Sequence, residues 1–125
     1  FSSNCLGAIN GQGYITRVTG SGRNARLFRF ITCMDIYFDD IILVDSPTFH
    51  LVFNDVANMR ACHITIRGPN MGGTDGFDSI FDNNYLRHSE VTNRDRCISV
   101  KSPSQNVLIE DVYCNQSGGM SIGSL

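Results

Sequence analysis

The sequence predicts an all-β fold, a right-handed parallel β-helix, on three observations. Short β-rich runs alternate with Asn, Asp, Gly and Pro along most of the 125 residues, and no helical period is sustained. Four segments superpose without gaps when started at Asp35, Asn58, Asn83 and Asn106, at intervals of 23, 25 and 23 residues. Apolar residues fall in the same columns of that superposition, as they must where each coil buries its interior only against the coils above and below.

The four repeats read DIYFDDIILVDS, NMRACHITIRGP, NNYLRHSEVTNR and NVLIEDVYCNQS. One column holds Phe38, Ala61, Leu86 and Ile109; a second holds Ile41, Ile64, Ser89 and Val112; a third holds Leu43, Ile66, Val91 and Cys114. The columns of Phe38 and of Leu43 are expected to be buried stacks. The polar residue opening each repeat marks a corner, where Asn or Asp tolerates a left-handed backbone and its side chain can bond the neighbouring coil. After a turn, each repeat runs into a second strand, at 49–53, 78–81, 97–101 and 120–123. About five coils are expected in all. A β-sandwich would need hairpin turns every 8 to 12 residues or so, and the aligned columns would then be coincidence. The Leu-x-x-Leu-x-Leu frame of a leucine-rich repeat is absent.

Composition narrows the partners. The net charge is −2 and the 10 basic residues are scattered without a stripe, so no nucleic acid is expected to bind. No apolar run reaches the roughly 18 residues of a membrane span, so no membrane association is expected. The chain opens at Phe1 without Met, and 120–123 reads as a strand that should continue. Both ends are expected to be truncations, leaving residues 1–125 as an internal piece of one β-helix domain. The five cysteines form no Cys-x-x-Cys pair and no Cys/His cluster, so no metal site is expected from their spacing. The odd count leaves open either buried thiols or one to two disulfides. Asn115-Gln116-Ser117 is a sequon, which leans toward a secreted protein with Asn115 as glycosylation acceptor.

The chemistry gathers in three loops, at 72–78, 92–97 and 114–120. They occupy equivalent positions in successive coils, so they should stack on one face with a spacing of about 4.8 Å. Asp75 and Asp95 then project together from one surface. Paired carboxylates beside a groove are the equipment of glycoside hydrolysis, although Asp in such loops is also ordinary turn chemistry.

The same loops carry a resemblance. GGTDGFD resembles the N-T-D-G-x-D motif of polygalacturonases, VTNRDRCISVKSP their second motif, and SGGMSIGSL their G-G-H-G motif with Met120 in place of the His. GAINGQGY and LVDSPTFH also look like the rhamnogalacturonase branch of glycoside hydrolase family 28, whose members are secreted, pectin-lyase-like β-helices. The resemblance runs over nearly the whole chain. It implies hydrolysis of the rhamnogalacturonan backbone of pectin by inverting carboxylate catalysis, in a secreted monomer that needs no cofactor. Asp95 would be the general acid, Asp75 would position and activate the water, and Asp78 would be a further acid beside the cleft. Lys101, Gly118 and Gly119 would line the cleft and meet the sugar, with Arg96 among the residues facing it. Cys97 and Cys114 would form a disulfide.

Two departures set up alternatives. Arg96 stands where the family has a second acid, and its charge would hold Asp95 in the ionised form, lowering a pKa that a general acid needs raised. A polygalacturonase, disfavoured by Met120, and a catalytically inactive pectin-binding β-helix therefore stand as the other readings, with a purely structural solenoid behind them. Carboxylates about 5 Å apart on adjacent coils would read as retaining, whereas the resemblance implies inversion, which is preferred. With both ends uncapped, this segment by itself is expected to be inactive.

Overall fold

The computed structural model describes residues 1–4, 6–22 and 24–123. In chain order it contains β1 (Ala8–Asn10), a short helix α1 (Gly13–Thr19), β2 (Phe28–Met34), β3 (Tyr37–Val44), β4 (Leu51–Ala57), β5 (Arg60–Arg67), β6 (Phe77–Thr92), β7 (Ile98–Val100), β8 (Gln105–Asn115) and β9 (Met120–Ile122). Every pairing between these strands is parallel. One ladder runs β1, β3, β5, second half of β6, β8. The other runs β2, β4, first half of β6, β7, β9. The chain is a parallel β-helix of about four turns where the alignment suggests five, its first coil being pared down to the three residues of β1 and to β2.

The repeat columns are the register of the first ladder. Phe38 pairs with Ala61, Ala61 with Leu86 and Leu86 with Ile109; Leu43 pairs with Ile66, Ile66 with Val91 and Val91 with Cys114. Phe38, Ala61, Leu43, Ile66 and Val91 are wholly buried, and Leu86 nearly so. Ile109 and Cys114, in the last coil, are half-buried against the same core. Each full burial of such a side chain is worth about 1.5–3 kcal/mol, and stacking identical positions lets each coil supply the wall for the next. A second core column passes through Leu51, Phe77 and Ile98, all buried, and the Phe30 and Phe53 rings stack with centroids 5.4 Å apart.

The corners behave as their residues dictate. Asp35, Asn58, Asn83 and Asn106 have φ of 57°, 55°, 54° and 51°, and Asn58 Nδ2 donates to Asp35 Oδ1 at 3.1 Å while Asn106 Nδ2 donates to Asn83 Oδ1 at 3.0 Å. A second left-handed column, Asp40, His63, His88 and Asp111, bends the middle of the first-ladder strands.

Three elements depart from the sequence reading. α1 was not anticipated; Tyr14 N–H donates to Asp45 Oδ2 at 2.9 Å and Arg17 pairs with Asp45 at 2.5 Å, which docks it beside the turn at 45–46. Strand β2 lies upstream of the first recognisable repeat. β6 runs unbroken through the corner at Asn83, joining what read as two strands. No described helix is long and apolar enough to cross a membrane.

Candidate active site

The second-strand ladder starts just after the three loops, so its register sets their spacing. Phe77 pairs with Ile98, and Ile98 with Met120. The residues immediately before those strands therefore sit one above another. Backbone bonds tie the loops together: Gly76 N–H donates to Arg96 O at 2.9 Å, Cys97 N–H to Gly119 O at 2.9 Å and Gly118 N–H to Asp95 O at 2.8 Å. Asn93 adds a side-chain strut, donating from Nδ2 to Thr74 O at 2.8 Å and to Arg96 O at 2.9 Å.

Two glycines are needed for this close stacking. A Cβ on Gly76 would lie 2.5 Å from Cys97 O and 2.7 Å from Val91 Cγ1. Gly119 has φ of 79°, a left-handed conformation that lets its loop turn into β9. The Cys97–Cys114 disulfide, with Cα atoms 5.7 Å apart, pins the start of β7 to the end of β8. Cys33 and Cys62 are free thiols, and Cys5 lies outside the described residues.

Asp75 and Asp95 meet. Asp75 is 3% exposed and shares a side-chain hydrogen bond with Asp95, which is half-buried. Asp95 also accepts through Oδ1 from the Arg96 N–H at 2.9 Å, and through Oδ2 from the Gly73 N–H. Burial first, then the negative charges of Asp95 and Asp78, together push the Asp75 carboxyl up to about 6 against the opposing Arg96 cation. Asp75 and Asp95 form a carboxyl dyad whose buried member, Asp75, keeps its proton up to about pH 6.

Asp78 is equally buried and receives a hydrogen bond from Lys101 Nζ at 2.7 Å, with the Lys101 ammonium 5.8 Å from the Phe49 ring centroid. This pair opens onto a small cavity lined in part by Arg26, Arg29, Phe49 and Asn54. Asp75, Asp78, Asp95, Lys101, Gly118 and Gly119 are thus held in three consecutive coils. Arg96 is exposed, and its guanidinium acts on the dyad through charge. Asn115 is half-buried at the end of β8, with its Nδ2 3.5 Å from Thr92 Oγ1.

Two features escaped the sequence reading. Arg26 and Arg29 lie some fifty residues upstream of Asp75 and Asp78 and reach the cavity only because β2 pairs with β4. His50 is fully buried beneath the acid loop. Its backbone N–H donates to Asp75 O at 2.9 Å, its Nδ1 contacts the same oxygen at 3.1 Å, and its Nε2 accepts from the Ser46 N–H at 3.3 Å. An accepting Nε2 in a neutral ring leaves Nδ1 as the donor, and burial lowers this histidine's pKa, which keeps the ring neutral. The signal lay in the stretch LVDSPTFH, where His50 reads as part of a resemblance and of the strand at 49–53, with no role of its own.

Residues 4–125 match the model of the family "Glycosyl hydrolases family 28". The whole chain is 45% identical to Rhamnogalacturonase A of Emericella nidulans and 46% identical to Probable rhamnogalacturonase A of Aspergillus oryzae, spanning 25% and 27% of their lengths. Probable rhamnogalacturonase B of Aspergillus fumigatus is 42% identical over the same 125 residues, which make up 24% of it. The chain thus spans about a quarter of the length of the curated relatives it matches.

Proposed function

Since the chain belongs to the glycosyl hydrolases of family 28, we propose that the protein it comes from cleaves the rhamnogalacturonan backbone of pectin, with the carboxyl groups of Asp75, Asp95 and Asp78 as its acid–base equipment. The observation that carries the reading is the Asp75–Asp95 dyad, a buried carboxyl raised to about 6 and bonded to a more exposed one. The relatives' names direct the choice of polymer.

Below about pH 6 Asp75 holds a proton, which it passes along its hydrogen bond to Asp95. Asp95, the more exposed partner, presents that proton to the leaving glycosidic oxygen. Asp75, then anionic, takes a proton from a water that attacks the anomeric carbon from the opposite side, with Asp78 helping to orient it. The glycosidic C–O bond breaks as the new C–O bond forms, and the configuration inverts. The hydrogen-bonded approach of Asp75 to Asp95 leaves too little room between them for that water, so inversion requires sugar entry to part the dyad toward the roughly 6.5–9.5 Å that inverting enzymes hold. Lys101, Arg26 and Arg29 supply cations to a uronate carboxylate, while Arg96 and the Gly118–Gly119 backbone face the sugar.

The disulfide and the sequon at Asn115 support secretion. The isolated 125-residue segment is proposed to be inactive, because Met120 and Ile122 of its last coil are 63% and 79% exposed where a solenoid packs a further layer.

A comparison of polymers tests the reading. The full-length protein should release reducing ends from rhamnogalacturonan and far fewer from polygalacturonate, and freshly cleaved ends should carry inverted anomeric configuration. Faster release from polygalacturonate would overturn the choice of substrate. Binding of either polymer without release would favour a lectin, the reading that the cation at Arg96 motivates.

A further inference from the structure

We propose that Asp39, Asp40 and His63, in the middle of the first-ladder strands β3 and β5, form a binding site for a divalent transition cation of the zinc type. The site is built by the second left-handed column. In a regular strand consecutive side chains point to opposite faces, yet Asp40 at φ 51° breaks that alternation and lets both neighbouring carboxylates reach one imidazole on the coil below. His63 lies one coil on, and it too is left-handed, at φ 51°.

The spacing that gives His63 a hydrogen bond to Asp39 also suits the ligands of one metal ion. His63 Nδ1 is 3.1 Å from Asp39 Oδ1 and 3.5 Å from Asp40 Oδ1, and all three candidate ligand atoms lie within 4.8 Å of one another. Zinc bonds of about 2.0–2.1 Å to nitrogen and oxygen, set at tetrahedral angles, give ligand–ligand edges of about 3.3 Å. The two measured contacts bracket that edge. The Nδ1–H bonds Asp39 at 3.1 Å and reaches Asp40 only at 3.5 Å, whereas a cation bonds both carboxylates at full strength.

The ring is held in place. His88, the next residue of the column, stacks on His63 with centroids 5.4 Å apart and planes 18° from parallel, and its own Nδ1 is anchored 3.3 Å from Asp111 Oδ2. The ladder Asp40, His63, His88, Asp111 therefore fixes the His63 plane from one side while leaving its Nδ1 toward the acids. His63 remains half-exposed, so a hydrated ion can reach it and keep water at its remaining position. One imidazole with two carboxylates favours zinc, copper or nickel over calcium, which prefers six to eight or so oxygens. Sequence spacing conceals the site, because its ligands lie 24 residues apart and meet only through the parallel register.

Calorimetric titration of zinc chloride into the full-length protein, in a non-chelating buffer, tests the proposal. One equivalent should bind, and calcium chloride should give no comparable heat. Asp39→Asn and His63→Ala should each weaken binding by at least the roughly 10- to 100-fold that even outer partners of a metal site are worth. His63 is exposed, so folding should survive, and unchanged far-ultraviolet circular dichroism checks that it does. Zinc should also raise the melting temperature of the wild type and leave that of His63→Ala unmoved. Absence of zinc binding at millimolar concentration, tighter binding of calcium than of zinc, or full zinc affinity in His63→Ala would each overturn it.

Discussion

At the scale of single residues, the account rests on where protons sit. Asp75 has an ordinary carboxyl value of 3.8 that the fold raises to about 6. The native state therefore binds this proton more tightly than the unfolded chain does. The stabilisation is complete below about pH 4 and is lost as pH rises through about 6. Asp75→Asn keeps the shape and removes the buried charge. It should abolish hydrolysis and still make the protein more stable at pH 7, by about 1–3 kcal/mol, with little effect at pH 4. Denaturant melts of wild type and variant at the two pH values check the sign. Arg96 opposes the rise at Asp75, so Arg96→Glu should move the descending limb of the pH–rate profile upward by up to about one unit and raise turnover near neutrality. A limb that stays in place would show that Arg96 does not act on the dyad. His50→Phe fills the same space but drops the ring's bond to the Asp75 carbonyl. It should lower kcat about 10- to 100-fold with KM little changed, the signature of a slightly misplaced carboxyl.

At the scale of elements, the same stacking that brings the acids together limits what the loops tolerate. Gly76→Ala puts a methyl 2.5 Å from the Cys97 carbonyl, a backbone atom that cannot swing aside, and should cost about 1–3 kcal/mol or more in the midpoint of denaturation. Replacing Cys97 and Cys114 with Ala removes a cross-link over 17 residues and should cost about 3 kcal/mol by the chain-entropy estimate. The first-ladder strands were legible because Phe38, Ala61, Leu86 and Ile109 recur in one column, and a solenoid core cannot avoid that repetition. α1 was not, since its Tyr14, Ile15 and Val18 are 68%, 55% and 67% exposed and leave no apolar period to read. β2 belongs to a first coil whose other strand has only three residues, too short for the alignment to find. The loop acids were legible as a stacked set. The arginines that share the cavity at Asp78 were not, because only the fold brings residues 26 and 29 to it.

At the scale of the whole molecule, a parallel β-helix turns sequence repetition into a surface on which equivalent positions become neighbours. One flank of that surface gathers Asp75, Asp78 and Asp95. The middle of β3 and β5 gathers Asp39, Asp40 and His63, with no residue in common. The central claim is that the first of these carries out hydrolysis. The most direct measurement is kcat/KM of the full-length protein on rhamnogalacturonan for wild type and Asp95→Asn, at a pH below the value near 6 of Asp75. Loss of the proton donor should lower it by about 10² to 10⁴-fold while binding of the polymer persists. Hydrolysis undiminished in Asp95→Asn would contradict the claim and place the chemistry elsewhere on the chain.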